Sequence, residues 1–183
     1  MQGLGFWTAL AVAALGSVGS LWFSLGKKLK ACPLCFYQRS FVIAALGVLL
    51  LGALSGQGQW ALFSLLALPA AVSGLAIAAF HVYLEASGKL ECPPGAWNLG
   101  SVPQQSCAMF VILVAALVLE AWRTPMQSLL GAGGLVGVSV VFGVLLAAGS
   151  VAATPGPPPP PQQPYPQPPD TCRPPYREAG SQT

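Results

Sequence analysis

Residues 3–30 read GLGFWTALAVAALGSVGSLWFSLGKKLK, a run of twenty-four residues without a charge followed by three lysines in four positions. A helix needs about 20 mostly apolar residues to cross the hydrocarbon core of a bilayer. This stretch therefore predicts a spanning helix that stops at a membrane interface. Four more such runs follow. Residues 36–54 carry Arg39 in the first turn. Residues 60–84 contain Pro69 and, near their end, His81. Residues 106–122 are shorter and carry Glu120, and residues 127–153 carry no charge. Arg123, Thr124 and Pro125 separate the last two. The first run lacks the basic start and the small-residue cleavage site of a signal peptide, so it is read as a retained helix.

Composition points the same way. Charged residues make up 7% of the 183 residues, against roughly 25% in an average soluble domain. Hydrophobic residues make up 54% and the mean hydropathy is +0.65. Eight Lys/Arg and five Asp/Glu cannot clothe a soluble fold of this length. The net charge of +3 is too small and scattered for a nucleic-acid footprint. The expected fold class is all-α, a polytopic membrane four-helix bundle plus a fifth C-terminal hydrophobic helix. Twelve of the 18 prolines lie in the last thirty residues, which predicts a disordered Pro-rich tail. The G-x-x-x-G at Gly133 and Gly137 fits packing inside the bundle or helix dimerisation.

The five cysteines avoid every predicted helix centre. Cys32 and Cys35 follow the first run, Cys92 and Cys107 follow the third, and Cys172 lies in the tail. Counting crossings puts all five on one side of the membrane. Four chemistries compete for the two pairs: static staples, a metal site, unrelated thiols, or a redox relay. Fourteen residues separate Cys92 from Cys107, so only half of a paired C-x-x-C zinc pattern exists, and no metal is expected. C-P-L-C at 32–35 places two sulfurs at i and i+3 at a helix start, where backbone N–H groups favour a thiolate at Cys35. Arg39 lies one turn on, on the same face. A staple needs neither feature, whereas a relay needs an acceptor for two electrons, and a bilayer-dissolved quinone would reach Cys35 and Arg39 directly.

The stretch Cys32-Pro33-Leu34-Cys35-Phe36-Tyr37-Gln38-Arg39 resembles the signature of the DsbB/BdbC membrane disulfide-forming oxidases. His81-Val82-Tyr83-Leu84-Glu85, followed by Cys92 and Cys107, is also similar. The resemblance covers roughly residues 3–123. It implies a DsbB-like four-helix membrane domain over 1–123, leaving an extra transmembrane helix over 124–153 and the tail over 154–183.

The resemblance further implies a thiol:quinone oxidoreductase of the bacterial inner membrane that uses ubiquinone or menaquinone. Its partner would be an extracytoplasmic, DsbA-like thioredoxin-fold dithiol oxidase; membrane lipid is expected around it, and no nucleic acid. Cys32 and Cys35 match the membrane-proximal pair. Cys92 and Cys107 match the loop pair, with Cys92 taking the partner's sulfur and Cys107 passing electrons to Cys32. Arg39 matches the quinone-side arginine, and His81 is a candidate quinone contact or proton donor.

Cys172 has no counterpart in that pattern and is expected to be dispensable. Lys27, Lys28, Lys30 and Lys89 share the cysteine side, so the positive-inside rule favours a cytoplasmic placement. Thiol oxidation favours the extracytoplasmic side, which is the placement adopted. The alternative function is a non-enzymatic membrane subunit with disulfide-stapled loops and a partner-binding tail.

Overall fold

The structure is a computed structural model, and it describes residues 3–55, 58–123, 131–154, 159, 161 and 163–176. Five helices follow in chain order: α1 Leu4–Leu25, α2 Pro33–Leu54, α3 Trp60–Ala86, α4 Val102–Arg123 and α5 Gly131–Ala152. All five are long and apolar enough to cross a membrane. Each apolar run became a helix because a lipid-facing backbone must satisfy its own polar groups. Two helices start earlier than expected. Pro33 opens α2 at the first helical position, where its missing N–H costs nothing. Val102 and Pro103 open α4 ahead of a polar turn of Gln104, Gln105 and Ser106. Thr124, Pro125 and the predicted start of the last run at 127–130 lie outside the described residues.

Helices α1 to α4 form a ring in which α1 meets α2 and α4, and α3 meets the same two from the other side. Phe6, Leu49, Leu68, Phe110, Leu113 and Leu117 fill its centre. Gly74 makes room for the Phe110 ring of α4 against α3, since a Cβ there would run into it. Glu120, 2% exposed, turns inward from α4 and accepts the Gly3 and Gly5 N–H groups at 3.0 Å each. It thereby satisfies two orphan donors at the start of α1.

Helix α5 docks outside the ring, chiefly against α3. The contact is built around Pro69, where the Ser73 hydroxyl reaches both the Pro69 carbonyl (2.8 Å) and the Gly143 carbonyl of α5 (2.9 Å). Gly143 is the packing glycine, because a Cβ there would press on Pro69 and Val72. Gly133 and Gly137 have open space at their Cβ positions, so the expected use of that pair inside the bundle does not occur.

The tail differs from the expectation of disorder over its described part. Glu91 and Arg173 exchange backbone hydrogen bonds of 2.8 and 3.0 Å, pairing the tail with the α3–α4 loop. The Lys30 N–H donates to the Asp170 carbonyl at 2.9 Å, tying the tail to the α1–α2 loop as well. The Arg173 guanidinium lies over the Tyr165 ring at 3.7 Å. Proline-rich chain has no internal hydrogen bonds to lose, so a few cross-links to the two loops suffice to seat it.

Candidate functional site: a cluster of cysteines above a membrane cavity

Cys32 is the N-cap of α2, with extended backbone, and its sulfur accepts the Cys35 N–H at 3.2 Å. The helix start therefore serves Cys32, where the sequence reading had assigned it to Cys35. Cys32 lies outside the spanning segment, and in the free-thiol form its pKa is held down to about 5. The hydrogen bond from the Cys35 thiol is the main cause; burial opposes it and His81 reinforces it.

His81, fully buried at the end of α3, stands over this sulfur. Its Nε2 lies 4.0 Å from the Cys32 sulfur and 3.5 Å from the Cys92 sulfur. On its other side, Nδ1 is 3.2 Å from the Gln38 amide nitrogen. The Gln38 carbonyl oxygen in turn accepts the Ser106 hydroxyl at 2.6 Å. An amide nitrogen can only donate, so Nδ1 accepts and a neutral imidazole carries its proton on Nε2, facing the sulfurs. Sequence reasoning missed Gln38 and Ser106. The available signal was an amide three residues after Cys35, directly before Arg39, at the start of an apolar run.

Arg39 leaves α2 toward α1. Its Nε donates to the Ser20 hydroxyl (2.8 Å), and one terminal nitrogen donates to the Ser20 carbonyl (3.0 Å) and the Ser24 hydroxyl (2.5 Å). Cys35 and Arg39 share the wall of a cavity of about 190 Å³ with Phe23, Val42, Met109 and Phe110. A mostly apolar chamber bordered by the Cys35 thiol and by two cationic residues, Arg39 and Lys30, suits a flat ring with carbonyl oxygens, which is the donor set a quinone head group needs. His81 is not on that wall, and the structure places it among the sulfurs.

The loop cysteines are not joined as the resemblance implied. Cys92 is bonded to Cys172, eighty positions away in sequence. Cys107 is a free thiol on α4, packed against the main core. The physical reason is geometric. The Glu91–Arg173 pairing aligns the residues beside it, Cys92 and Cys172, whereas α4 has already begun at Val102 and carries Cys107 into the bundle. The Cys172 sulfur, the Cys32 and Cys35 sulfurs and a ring nitrogen of His81 all lie within 4.8 Å of one another. Three sulfurs and an imidazole can also hold a soft cation, but Cys172 has no thiolate to offer while bonded to Cys92.

Five spanning helices with free and bonded cysteines gathered at one end define a polytopic membrane protein with a thiol–disulfide centre. A family model described as Disulfide bond formation protein DsbB matches residues 3–107. The chain belongs to the DsbB family. Curated relatives agree. One is Disulfide bond formation protein B 2 of Burkholderia lata, 32% identical over 89 residues, covering 47% of this chain and 52% of the relative. Another is Disulfide bond formation protein B of Cupriavidus necator, 31% identical over 88 residues, covering 48% and 54%. The chain thus spans about half the length of these relatives. No solved structure gives a significant match.

Proposed function

We propose that this protein is a membrane thiol:quinone oxidoreductase that supports disulfide bond formation. It takes two electrons from a reduced thioredoxin-fold dithiol protein on the extracytoplasmic side of a bacterial inner membrane and delivers them to ubiquinone or menaquinone. The observation that carries this reading is the shared wall of the cavity, where the Cys35 thiol and the Arg39 guanidinium face one apolar chamber. A quinone bound there supplies the two-electron, two-proton sink.

The chain's own residues do the rest. Cys32 and Cys35 pass between dithiol and disulfide. Arg39, fixed by Ser20 and Ser24, holds positive charge where negative charge develops. His81 presents its Nε2 proton to the Cys32 and Cys92 sulfurs and stabilises whichever becomes a thiolate. Cys92 receives the partner's sulfur. Every exchange is a thiolate attack on a disulfide, so geometry and thiolate fraction set the rates.

The staple reading draws on the Cys92–Cys172 bond, which ties the tail to a loop. It leaves unexplained why free Cys32 and Cys35 lie within 4.8 Å of that bond's Cys172 sulfur. The test is quinone absorbance during incubation of the full chain, in lipid, with a reduced thioredoxin-fold dithiol donor. The relay predicts continuous quinone loss that needs both donor and protein. Cysteines that keep one redox state throughout would establish the staple instead.

A further inference from the structure

Cys172 lies beyond the 3–107 span that matches the family, after an additional helix and a proline-rich segment. It is nevertheless the cysteine that the fold delivers to the centre. We propose that Cys172 is a catalytic residue of the relay: Cys92–Cys172 is the disulfide through which electrons enter, and the Cys172 sulfur is the one that exchanges with Cys32. The inference rests on the thiol:quinone reading and extends it to a segment that the family match does not cover.

Three independent placements support it. The Cys172 sulfur is within 4.8 Å of both the Cys32 and Cys35 sulfurs. Thr171 and Cys172 line the same cavity as Cys35 and Arg39. Backbone hydrogen bonds hold the tail on both loops, Lys30 to Asp170 and Glu91 to Arg173, so Cys172 is positioned rather than diffusing on a tether. Cys107 is absent from the sulfur cluster and from the cavity wall.

The electrons balance as follows. A thiolate of the partner attacks the Cys92 sulfur, breaking the Cys92–Cys172 bond and releasing Cys172 as a thiolate. The partner's second thiol resolves the mixed disulfide, so the partner leaves oxidised and Cys92 is left reduced. Cys172 then attacks Cys32 of a Cys32–Cys35 disulfide, forming Cys32–Cys172 and releasing Cys35 as a thiolate beside the cavity. Cys92 attacks Cys172, restoring Cys92–Cys172 and leaving Cys32 and Cys35 reduced. That dithiol gives two electrons and two protons to the quinone. The net change is one partner dithiol oxidised and one quinone reduced.

The experiment uses the full chain in lipid, with two electron donors: a reduced thioredoxin-fold dithiol protein and dithiothreitol. Cys172→Ser should lose protein-driven quinone reduction as completely as Cys92→Ser, while both keep slow dithiothreitol-driven reduction, which shows a folded quinone side. Cys107→Ser should stay at the wild-type rate with both donors. In Cys35→Ser, exchange needs no quinone: the Cys32 thiolate attacks Cys172, and peptide mapping after acid quench and alkylation should find a Cys32–Cys172 disulfide with Cys92 alkylated. Wild-type turnover by Cys172→Ser, or a map of Cys35→Ser without the Cys32–Cys172 link, overturns the inference. If Cys172→Ser loses both activities, the map alone decides. A wild-type chain that reduces no quinone with either donor refutes the oxidoreductase reading, and the map still reads the exchange separately.

Discussion

Arg39 is held by three hydrogen bonds that it donates to α1 and still borders the cavity. An arginine at the centre of a spanning helix costs about 2.5–3.5 kcal/mol on insertion scales; Arg39, in the second turn of α2, lies nearer the interface, and Ser20 and Ser24 accept its hydrogen bonds. Losing one preorganised donor to a developing negative charge typically costs about 2.7–4 kcal/mol, a factor near a hundred to a thousand in rate. Arg39→Ala should slow the quinone step by that order, and Arg39→Lys, which keeps charge without the planar fork, should fall between. Steady-state quinone titration reads the effect, and trapping of the Cys92 adduct should be unchanged. The pH dependence belongs to Cys32. Its depressed pKa means that the thiolate persists in the reduced protein above about pH 5 and is lost as pH falls through that value. Ultraviolet thiolate absorbance of the reduced Cys35→Ala chain should titrate higher, because the side-chain hydrogen bond to Cys32 is gone. Gln38→Leu should slow thiol exchange, read by trapping of the Cys92 adduct, because His81 is then no longer fixed with its proton toward the sulfurs.

Among the elements, α1 shows how a buried acid can serve structure. Glu120→Ala leaves two N–H groups without their acceptor, and each unsatisfied buried group costs about 1–3 kcal/mol. The variant should melt well below wild type in detergent, and Glu120→Gln, which retains one carbonyl acceptor, should lie between. Equal melting of all three would remove the carboxylate from the account of α1. The helices themselves were legible from hydropathy, because each apolar run reached or came close to the roughly 20 residues that a crossing needs. Their starts were less so: polar residues at 104–106 hid the first turn of α4, which tertiary contacts settle. The α5 docking glycine was also hidden. Gly143 packs because it faces Pro69, whose free helix geometry no local pattern announces.

At the scale of the whole molecule, the tail turns two loops and a bundle into one centre. Crossing parity grouped Cys172 with the other cysteines, and the structure has it beside Cys32, Cys35 and Cys92; Cys35 and Arg39 of the C-x-x-C-x-x-x-R stretch line the cavity. The partner of Cys92 was not readable, because it depends on a backbone pairing between residues 91 and 173 that has no signal in either segment alone. Ending the chain after residue 153 should preserve dithiothreitol-driven quinone reduction and abolish the protein-driven reaction. The central claim is that the Cys32 and Cys35 pair passes electrons to a quinone held beside Cys35 and Arg39 in the membrane cavity. Its most direct test is a single turnover: the full chain carrying Cys92→Ser and Cys172→Ser, so that the Cys32 and Cys35 pair is the electron source, is reduced, freed of reductant, mixed anaerobically with a short-chain ubiquinone and quenched in acid. The account predicts quinol in amounts equal to newly formed Cys32–Cys35 disulfide, with neither product in Cys35→Ser. Quinol formed without that disulfide, or formed equally by Cys35→Ser, would contradict it.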